Sequence, residues 1–483
     1  MRHFRFLSAL LGVALLITLA CTLNPATGQR QFSLIGEQQE IAMGREYAKQ
    51  VQGEIGLYQD KALQAYVQKI GKDLASHTER PNLPWEFHVV DDPGVNAFAL
   101  PGGYIFITRG ILAAFNSEAE MASVLGHEMG HVTARHSVEQ MSRAQLAQLG
   151  LGVAMVASED FRQYAGLAQM GLGVLFLKFS RDDESQADHL GLRYLMRDNY
   201  EAEEMPKVFE MLKRQTERAG GSRLPEWQST HPSPEHRSAK LHREIEKLGG
   251  SPPDAIVRRD DYLQHLRGLV FGPDPREGYV AGRTFYHPQM AFRVDFPQGW
   301  KIINQKQMVA GLSPDKKAAI VLKLAREGDP GEAARKFFEQ SGVRNLGRRS
   351  RGLFDFQIDP STDSSGQSQP GARGAIAFVQ HQGKVFQLVG YTSLGDFSHY
   401  SGALHPSLKS FRKLKDPAHL NVKPKRIQLI RVDRETRMEA FNRNHPSTIS
   451  IEELALLNGI EIDERIAAGS LIKRVVGKAP PKK

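Results

Sequence analysis

The sequence predicts a multidomain α+β protein: a mainly helical first region with a small β-sheet, then a β-rich α+β region and a small βααβ unit. Two observations carry this. The chain has 483 residues, more than one hydrophobic core usually serves. Its hydrophobic patterning also changes period, from helical spacing before about residue 250 to strand-like alternation after 280.

The first region has helical spacing in Leu57–Leu74 and Ala119–Met141. Glu86–Val90 alternates as a strand, and Val95–Leu100 and Tyr104–Thr108 are strand-like runs joined by Pro101-Gly102-Gly103, a natural turn. Residues 251–279 read as a linker, with Gly249–Pro253 and Gly272-Pro273-Asp274-Pro275 marking it. In residues 280–415, strands are expected at Ala291–Phe296, Ala319–Leu324, Gly374–Gln380 and Val385–Thr392. Helices are expected there at Gly331–Gln340 and His405–Phe411, and Ser361–Gly371 reads as a Ser/Gly/Gln-rich loop. In residues 425–476, strands at Ile427–Val432 and Leu471–Val476 enclose helices near Arg437–Asn442 and at Ser450–Leu457, the second stopped by Asn458-Gly459.

Composition is that of an ordinary globular protein, 41% hydrophobic and 24% charged. The formal charge is +9, with no basic block dense enough to argue for nucleic acid. Arg2 and Arg5 precede an apolar run from Leu7 to Ala20, the form of a secretory signal spanning residues 1–20. That run is too short for a membrane span. It ends at Cys21, the single cysteine, so no internal disulfide is possible. Leu19-Ala20-Cys21 resembles a lipobox, whose cysteine is acylated and becomes the mature N-terminus; a plain cleaved signal is the alternative. Either reading exports the protein. The apolar segments Leu146–Ala157 and Tyr164–Phe179 invite a membrane hairpin, but neither meets the spanning criterion, and helices or a loop over a cleft are preferred.

The chemistry concentrates in His127-Glu128-Met129-Gly130-His131. Residues four apart share a helix face, so His127 and His131 can present two imidazoles to one ion. Zinc suits two imidazoles and a carboxylate, with a further position for water. Glu128 is rotated about 100° along the helix, where it meets that water and can take its proton. Downstream, Glu184 and Asp188 lie four apart on another expected helix. Glu184 is the candidate third ligand; Asp188 is a candidate to orient an imidazole or assist the leaving amine. An acidic helix face is ordinarily only solvated, and it is the pairing with HExxH that gives this one its reading. His136 is five residues beyond His131, wrong for the longer HExxHxxGxxH pattern, and reads as a packing or supporting residue. His231 sits in the Pro-rich Ser229–Pro234 and is a candidate fourth ligand or regulatory group, against the plain alternative of an exposed loop histidine. His189 and His236 carry no expectation.

Asn96–Gly103, then HEMGHVTARH, then Ser180-Arg181 leading to ExxxD resemble the zinc peptidase family of HtpX and the CAAX prenyl endopeptidases. The lack of spanning segments resembles its soluble periplasmic, BepA-like branch. The likeness covers roughly residues 24–245, and Asn24–Gly28 resembles the mature start of its lipoproteins. It implies a gluzincin-like zinc peptidase domain over 21–250, one Zn2+ on His127, His131 and Glu184, Glu128 as base, and a strand along the cleft, here Tyr104–Thr108 with its Asn96–Leu100 partner, that takes a substrate backbone by strand addition. It further implies an exported endopeptidase whose substrates are misfolded or misassembled envelope proteins, in the periplasm and, through lipid on Cys21, at the outer membrane. The C-terminal half departs from that branch, which ends in helical repeats. Residues 280–415 are instead similar to the PsbP-like fold, and 425–476 resemble a LysM unit through Leu454–Ile460 and Ala468-Gly469, which implies peptidoglycan as a partner. Two other readings stay open: a zinc-bound chaperone or scaffold with a closed cleft, and a cell-wall-associated binding protein.

Overall fold

The computed structural model describes residues 21–28, 30–148, 178–218, 231, 234–350, 352–362 and 368–481. The expected signal at 1–20 and most of the two apolar segments between the metal motifs lie outside them. Among the described residues no helix is long and apolar enough to cross a membrane. The chain forms two compact units. The first comprises residues up to Gly272 together with Arg426–Val476; the second comprises Pro273–Lys425 and the last few residues.

The first unit opens with a hairpin of β1 (Cys21–Leu23) and β2 (Arg30–Phe32). Helices α1 (Glu37–Glu54) and α2 (Lys61–Ala75) follow, then β3 (Glu86–Val90), β4 (Ala97–Leu100) and β5 (Tyr104–Thr108). These strands form a sheet in the order β3-β5-β4, parallel between β3 and β5 and antiparallel between β5 and β4. Strand β5 is central and buried throughout, so of the expected pair it is the Asn96–Leu100 side, as β4, that offers an edge and not Tyr104–Thr108.

After the short α3 (Arg109–Ala114), helix α4 (Glu118–Thr133) carries the HExxH motif. Ser117 caps it by accepting from Glu120 N at 3.1 Å, and Glu118 and Glu120 sit in its first turn, where carboxylates suit the helix dipole. The helix expected to run to Met141 breaks at Ala134-Arg135, and α5 (His136–Gln148) starts afresh. Arg135 adopts φ 59° and is anchored by tertiary bonds to buried Glu40 and to Ile35 O. No glycine or proline signals that break.

Helices α6 (Arg181–Arg197), α7 (Glu204–Arg218), α8 (Pro234–Lys247) and α9 (Arg259–His265) complete this part. A capping box between Ser180 and Asp183 starts α6. Helices α4 and α6 cross closely at glycines. A Cβ on Gly191 would stand 2.8 Å from His127 N, and one on Gly130 would stand 2.8 Å from Ala187 O. Residues 251–279, read as a linker, instead supply Tyr262, Leu263, Leu266 and Leu269 to the core. The Pro/Gly punctuation there marks turns between packed elements, not a flexible connection.

The second unit holds a four-stranded sheet and a seven-stranded antiparallel sheet. Strands β6 (Tyr279–Ala281), β7 (Thr284–His287) and β8 (Phe292–Asp295) build the first with β18 (Arg412–Lys413). The larger sheet uses β9 (Lys301–Asn304), β10 (Met308–Leu312), β11 (Ala318–Leu324), β12 (Val343–Ser350), β13 (Leu353–Ile358), β16 (Ala372–His381) and β17 (Lys384–Ser393). Its order is β12-β13-β16-β17-β11-β10-β9. Within the expected Ser/Gly/Gln-rich loop, β14 (Ser361–Thr362) pairs with β15 (Ser368–Gln369). Helix α10 (Pro330–Phe338) covers part of one face. Helix α11 (Phe397–Leu408) packs with the other. It begins eight residues before the expected His405, because Phe397, Tyr400 and Leu404 bury at helical spacing. A short helix α12 (Pro417–Leu420) follows.

The chain then returns to the first unit. Strand β19 (Arg426–Arg431) pairs with β22 (Leu471–Val476), and β20 (Thr436–Arg437) with β21 (Arg465–Ile466). Helices α13 (Met438–Asn444) and α14 (Ile451–Asn458) lie between. This βααβ segment is not free-standing. Ile427, Leu429 and Leu471 belong to the peptidase-side core. Buried Lys473 donates from Nζ to Ala113 O and Phe115 O at 2.8 and 2.7 Å, directly before the cap of α4.

Candidate metal centre

Every residue of helix α4 except Glu120 is buried, so His127 and His131 project into the interior. Their outward nitrogens are spoken for. His127 Nδ1 lies 3.0 Å from Asp188 Oδ1. His131 Nδ1 lies 2.9 Å from His136 Nδ1, and His136 Nε2 is 2.9 Å from Gln186 Oε1. The tautomers that satisfy these bonds protonate both ligand candidates on Nδ1 and His136 on Nε2. Both His127 and His131 then turn a bare Nε2 inward, the two lone pairs 3.1 Å apart.

Two further groups converge on those nitrogens. Glu184 Oε1 is 3.5 Å from His131 Nε2, and Glu184 Oε2 is 3.7 Å from His127 Nε2. His231 Nδ1 lies 3.3 Å from His127 Nε2 and 2.8 Å from Glu184 Oε1. His127, His131, Glu184 and His231 thus form one buried group whose ligand atoms lie within 4.8 Å of one another and could hold a metal ion. Donors about 2.0–2.2 Å from a tetrahedral zinc stand roughly 3.3–3.5 Å apart, which is the scale of these separations. Facing lone pairs in a buried site repel unless a cation lies between them, so the donor set fits zinc.

Burial is the main electrostatic influence here. It pushes His127 and His131 below the usual imidazole range, His231 down to about 4, and the Glu184 carboxyl up to about 7. All three imidazoles are thereby kept neutral, the form that binds a metal. Asp188 behaves oppositely: burial alone would raise it, but the Arg237 guanidinium and its hydrogen bonds hold it below the carboxylate range.

Every residue singled out in the two motifs is brought together. Glu128 is buried one residue along α4, with Oε1 3.7 Å from His231 Nε2. Asp188 touches His127, as a carboxylate that orients an imidazole must. His136 supports His131, and His231, expected either at the metal or on an exposed loop, is 1% exposed and inside the cluster. His189 is exposed and pairs with Glu244; the side chain of His236 lies outside the described residues, as do the side chain of Cys21 and its modification.

Arg237 was missed. Its Nε donates to Asp188 Oδ2 at 2.8 Å and Nη2 to Oδ1 at 2.5 Å, Nη1 lies 2.7 Å from Glu184 Oε2, and the guanidinium sits 4.2 Å over the Phe209 ring. A signal was present: Arg237, Leu241 and Ile245 recur four apart on one helix face and are all buried. A cation in an apolar stripe calls for buried anions. Phe179, stacked on His131 at 4.0 Å, had no comparable signal.

A helix presenting two histidines and a glutamate, faced by a second helix supplying a third donor, is the build of a metal-dependent hydrolase. Residues 61–245 match Peptidase family M48, and the chain belongs to that family. The mitochondrial metalloendopeptidase OMA1 of Schizosaccharomyces pombe is 30% identical over 242 residues, which cover 49% of this chain and 68% of that protein. The β-barrel assembly-enhancing protease of Escherichia coli K12 is 32% identical over 255 residues, 51% of each chain. The chain thus spans about half the length of that β-barrel assembly-enhancing protease. Among solved structures, cyanobacterial PsbP from Synechocystis matches at a TM-score of 0.21 and 10% identity, over 28% of this chain and 94% of that one.

Proposed function

We propose that this protein is an exported zinc-dependent endopeptidase that hydrolyses peptide bonds of misfolded or misassembled envelope proteins. The observation that carries the reading is the pair of inward-facing imidazole nitrogens, 3.1 Å apart, with Glu184 across from them and Glu128 alongside. His127, His131 and Glu184 are the ligands in this reading. Zinc held there would supply a Lewis acid to polarise a peptide carbonyl and acidify a water. Glu128 accepts the proton of the attacking water and passes it toward the leaving amine. Asp188 fixes the His127 ring and, with Arg237, anchors α6 to α4 through charge-assisted bonds. The β4 edge, Ala97–Leu100, takes a substrate strand in extended form. The domain is gluzincin-like in this reading, with a carboxylate as third ligand. The substrate class follows the β-barrel assembly-enhancing proteases, and the location is the periplasm, with attachment to the outer membrane through lipid on Cys21. The βααβ order of 426–476 supports a LysM-like unit with peptidoglycan as its partner.

The test is Glu128→Gln. The amide keeps the shape but cannot accept a proton, so the variant should retain about one zinc per chain and lose casein cleavage. Equal rates in variant and wild type remove Glu128 as the base. A second reading, a closed zinc-bound scaffold or chaperone, is favoured by His231 lying inside the donor group rather than on the surface.

A further inference from the structure

The second unit leaves half of one sheet face without a cover. On the larger sheet, paired residues define rows that point the same way: Lys301–Leu312–Ala319–Tyr391, Ile303–Ala310–Val321–Val389, and Met308–Lys323–Gln387. Toward β13 and β16 this face is covered by α10, through Ala333, Ala334, Phe337 and Phe338. Toward β9, β10 and β11 it is open. Met308 is 37% and Tyr391 40% exposed, and Ile303, Ala310, Leu312 and Val321 are only half-buried. Lys301 and Lys323 project from the same face, and neither is in an ion pair among the described residues.

The charge balance of this unit is lopsided. Residues 273–425 contain 23 Lys and Arg against 13 Asp and Glu, whereas the rest of the chain has 40 against 41. The whole basic excess of the protein therefore lies in the unit that bears the open face. Asp315, in the turn beside it, is engaged by Ser313 and Tyr400 and does not neutralise the two lysines.

We propose that this half-face is a docking site for an amphipathic helix of another polypeptide, with acidic side chains about three turns apart. The geometry selects a helix. Four strands at about 4.8 Å spacing present a width of roughly 15 Å, and a helix is about 10 Å across. Lys301 and Lys323 are offset by two strands and four residues, about 16 Å along a diagonal. At 1.5 Å per residue this spans about eleven residues of helix. The midpoint of the diagonal is Ala310, a small side chain, with Leu312 and Val321 on one side and Ile303 and Met308 on the other. A helix laid along it has a shallow seat and a cation at each end. The neighbouring α10 already packs on the same face. A flat apolar floor with cations at its margins favours protein over nucleic acid, whose phosphates have no use for Met308 and Tyr391.

The probe is a labelled helical peptide with a Leu/Ala face and Glu at two positions eleven residues apart; its control carries Lys at both. Binding to the full-length mature protein is read by fluorescence anisotropy at low salt. The acidic peptide should bind and the basic one should not. Lys301→Glu with Lys323→Glu should weaken the acidic peptide by about tenfold and let the basic peptide bind. Tyr391→Asp should remove both, with zinc content and circular dichroism unchanged as the control for folding. Absence of peptide binding overturns the proposal, as does equal affinity for the two peptides or indifference to the double charge reversal. Self-association of the protein, or binding to phosphatidylglycerol vesicles, that is lost in Tyr391→Asp would assign the face to a second copy or a lipid surface and equally overturn it.

Discussion

At the scale of single residues, the chemistry was legible where spacing alone encodes it. His127 and His131 four apart, and Glu184 and Asp188 four apart, must share helix faces wherever those helices lie. Arg237 was hidden because its importance depends on where α8 docks, and no local rule gives that. Its role is testable by Arg237→Lys, which keeps the charge but not the planar fork that grips Asp188 and Glu184 together. Zinc affinity, read by competition with a chelator, should fall by about 10- to 100-fold while far-ultraviolet circular dichroism is unchanged. Unaltered affinity would reduce Arg237 to a packing residue. His231 was left open between a ligand and an exposed side chain, since a Pro-rich loop can fold either way. Its place beside His127 and Glu184 predicts that His231→Ala frees a coordination position. Basal cleavage of casein should rise at least about threefold with zinc retained; lost activity with zinc retained would make His231 a group that acts on the substrate.

At the scale of elements, strands and helices with strong periodicity stood where expected, among them Glu86–Val90 and Tyr104–Thr108. What periodicity could not supply was order within the sheet. The burial of β5 between β3 and β4 moves the accessible edge to Ala97–Leu100, a fact of pairing and not of propensity. The break at Arg135 was equally invisible, since a left-handed arginine is held by Glu40, distant in sequence. The crossing of α4 and α6 carries the clearest demand. The two backbones approach at Gly130 and Gly191 closely enough that a methyl group at either has no room, and this closeness brings Glu184 to the histidines. Gly191→Ala should push α6 outward, lower stability by about 1–3 kcal/mol in urea denaturation, and weaken zinc binding in the same preparation. Stability lost with zinc affinity intact would separate the crossing from the metal centre.

At the scale of the whole molecule, the division of the chain differs from its linear reading. The second unit is an insertion into the first. The chain leaves and re-enters the first unit at neighbouring points, where Val270 bridges Arg426 and Ile427 N donates to Leu269 O at 2.9 Å. Composition marks the change of character near residue 280, but nothing local in Arg426–Val476 announces that its core partners lie some three hundred residues earlier. Two deletions should therefore behave oppositely. Replacing residues 273–425 by a short Gly/Ser linker should leave a folded domain that holds zinc. Removing everything after Lys425 should unfold the peptidase half, because it takes Ile427, Leu429 and Leu471 out of the shared core and strips Ala113 O and Phe115 O of their Lys473 Nζ donor. Thermal melts with zinc analysis check both; a stable, zinc-loaded truncation would contradict the shared core.

The Lys473 contact also sets a schedule. It joins positions 360 residues apart in sequence, and bringing such distant segments together is entropically costly and slow. A ribosome delivers His127, His131 and Glu184 long before it delivers Lys473. Throughout that interval the loop that launches the HExxH helix lacks its anchor, so the growing chain holds its cutting residues without a finished frame around them. Competence to hydrolyse therefore waits for the strand β22 that carries Lys473. Placing the closing piece 289 residues after Glu184 thus works as a timer, delaying the hazard of a half-built site until that piece has been made.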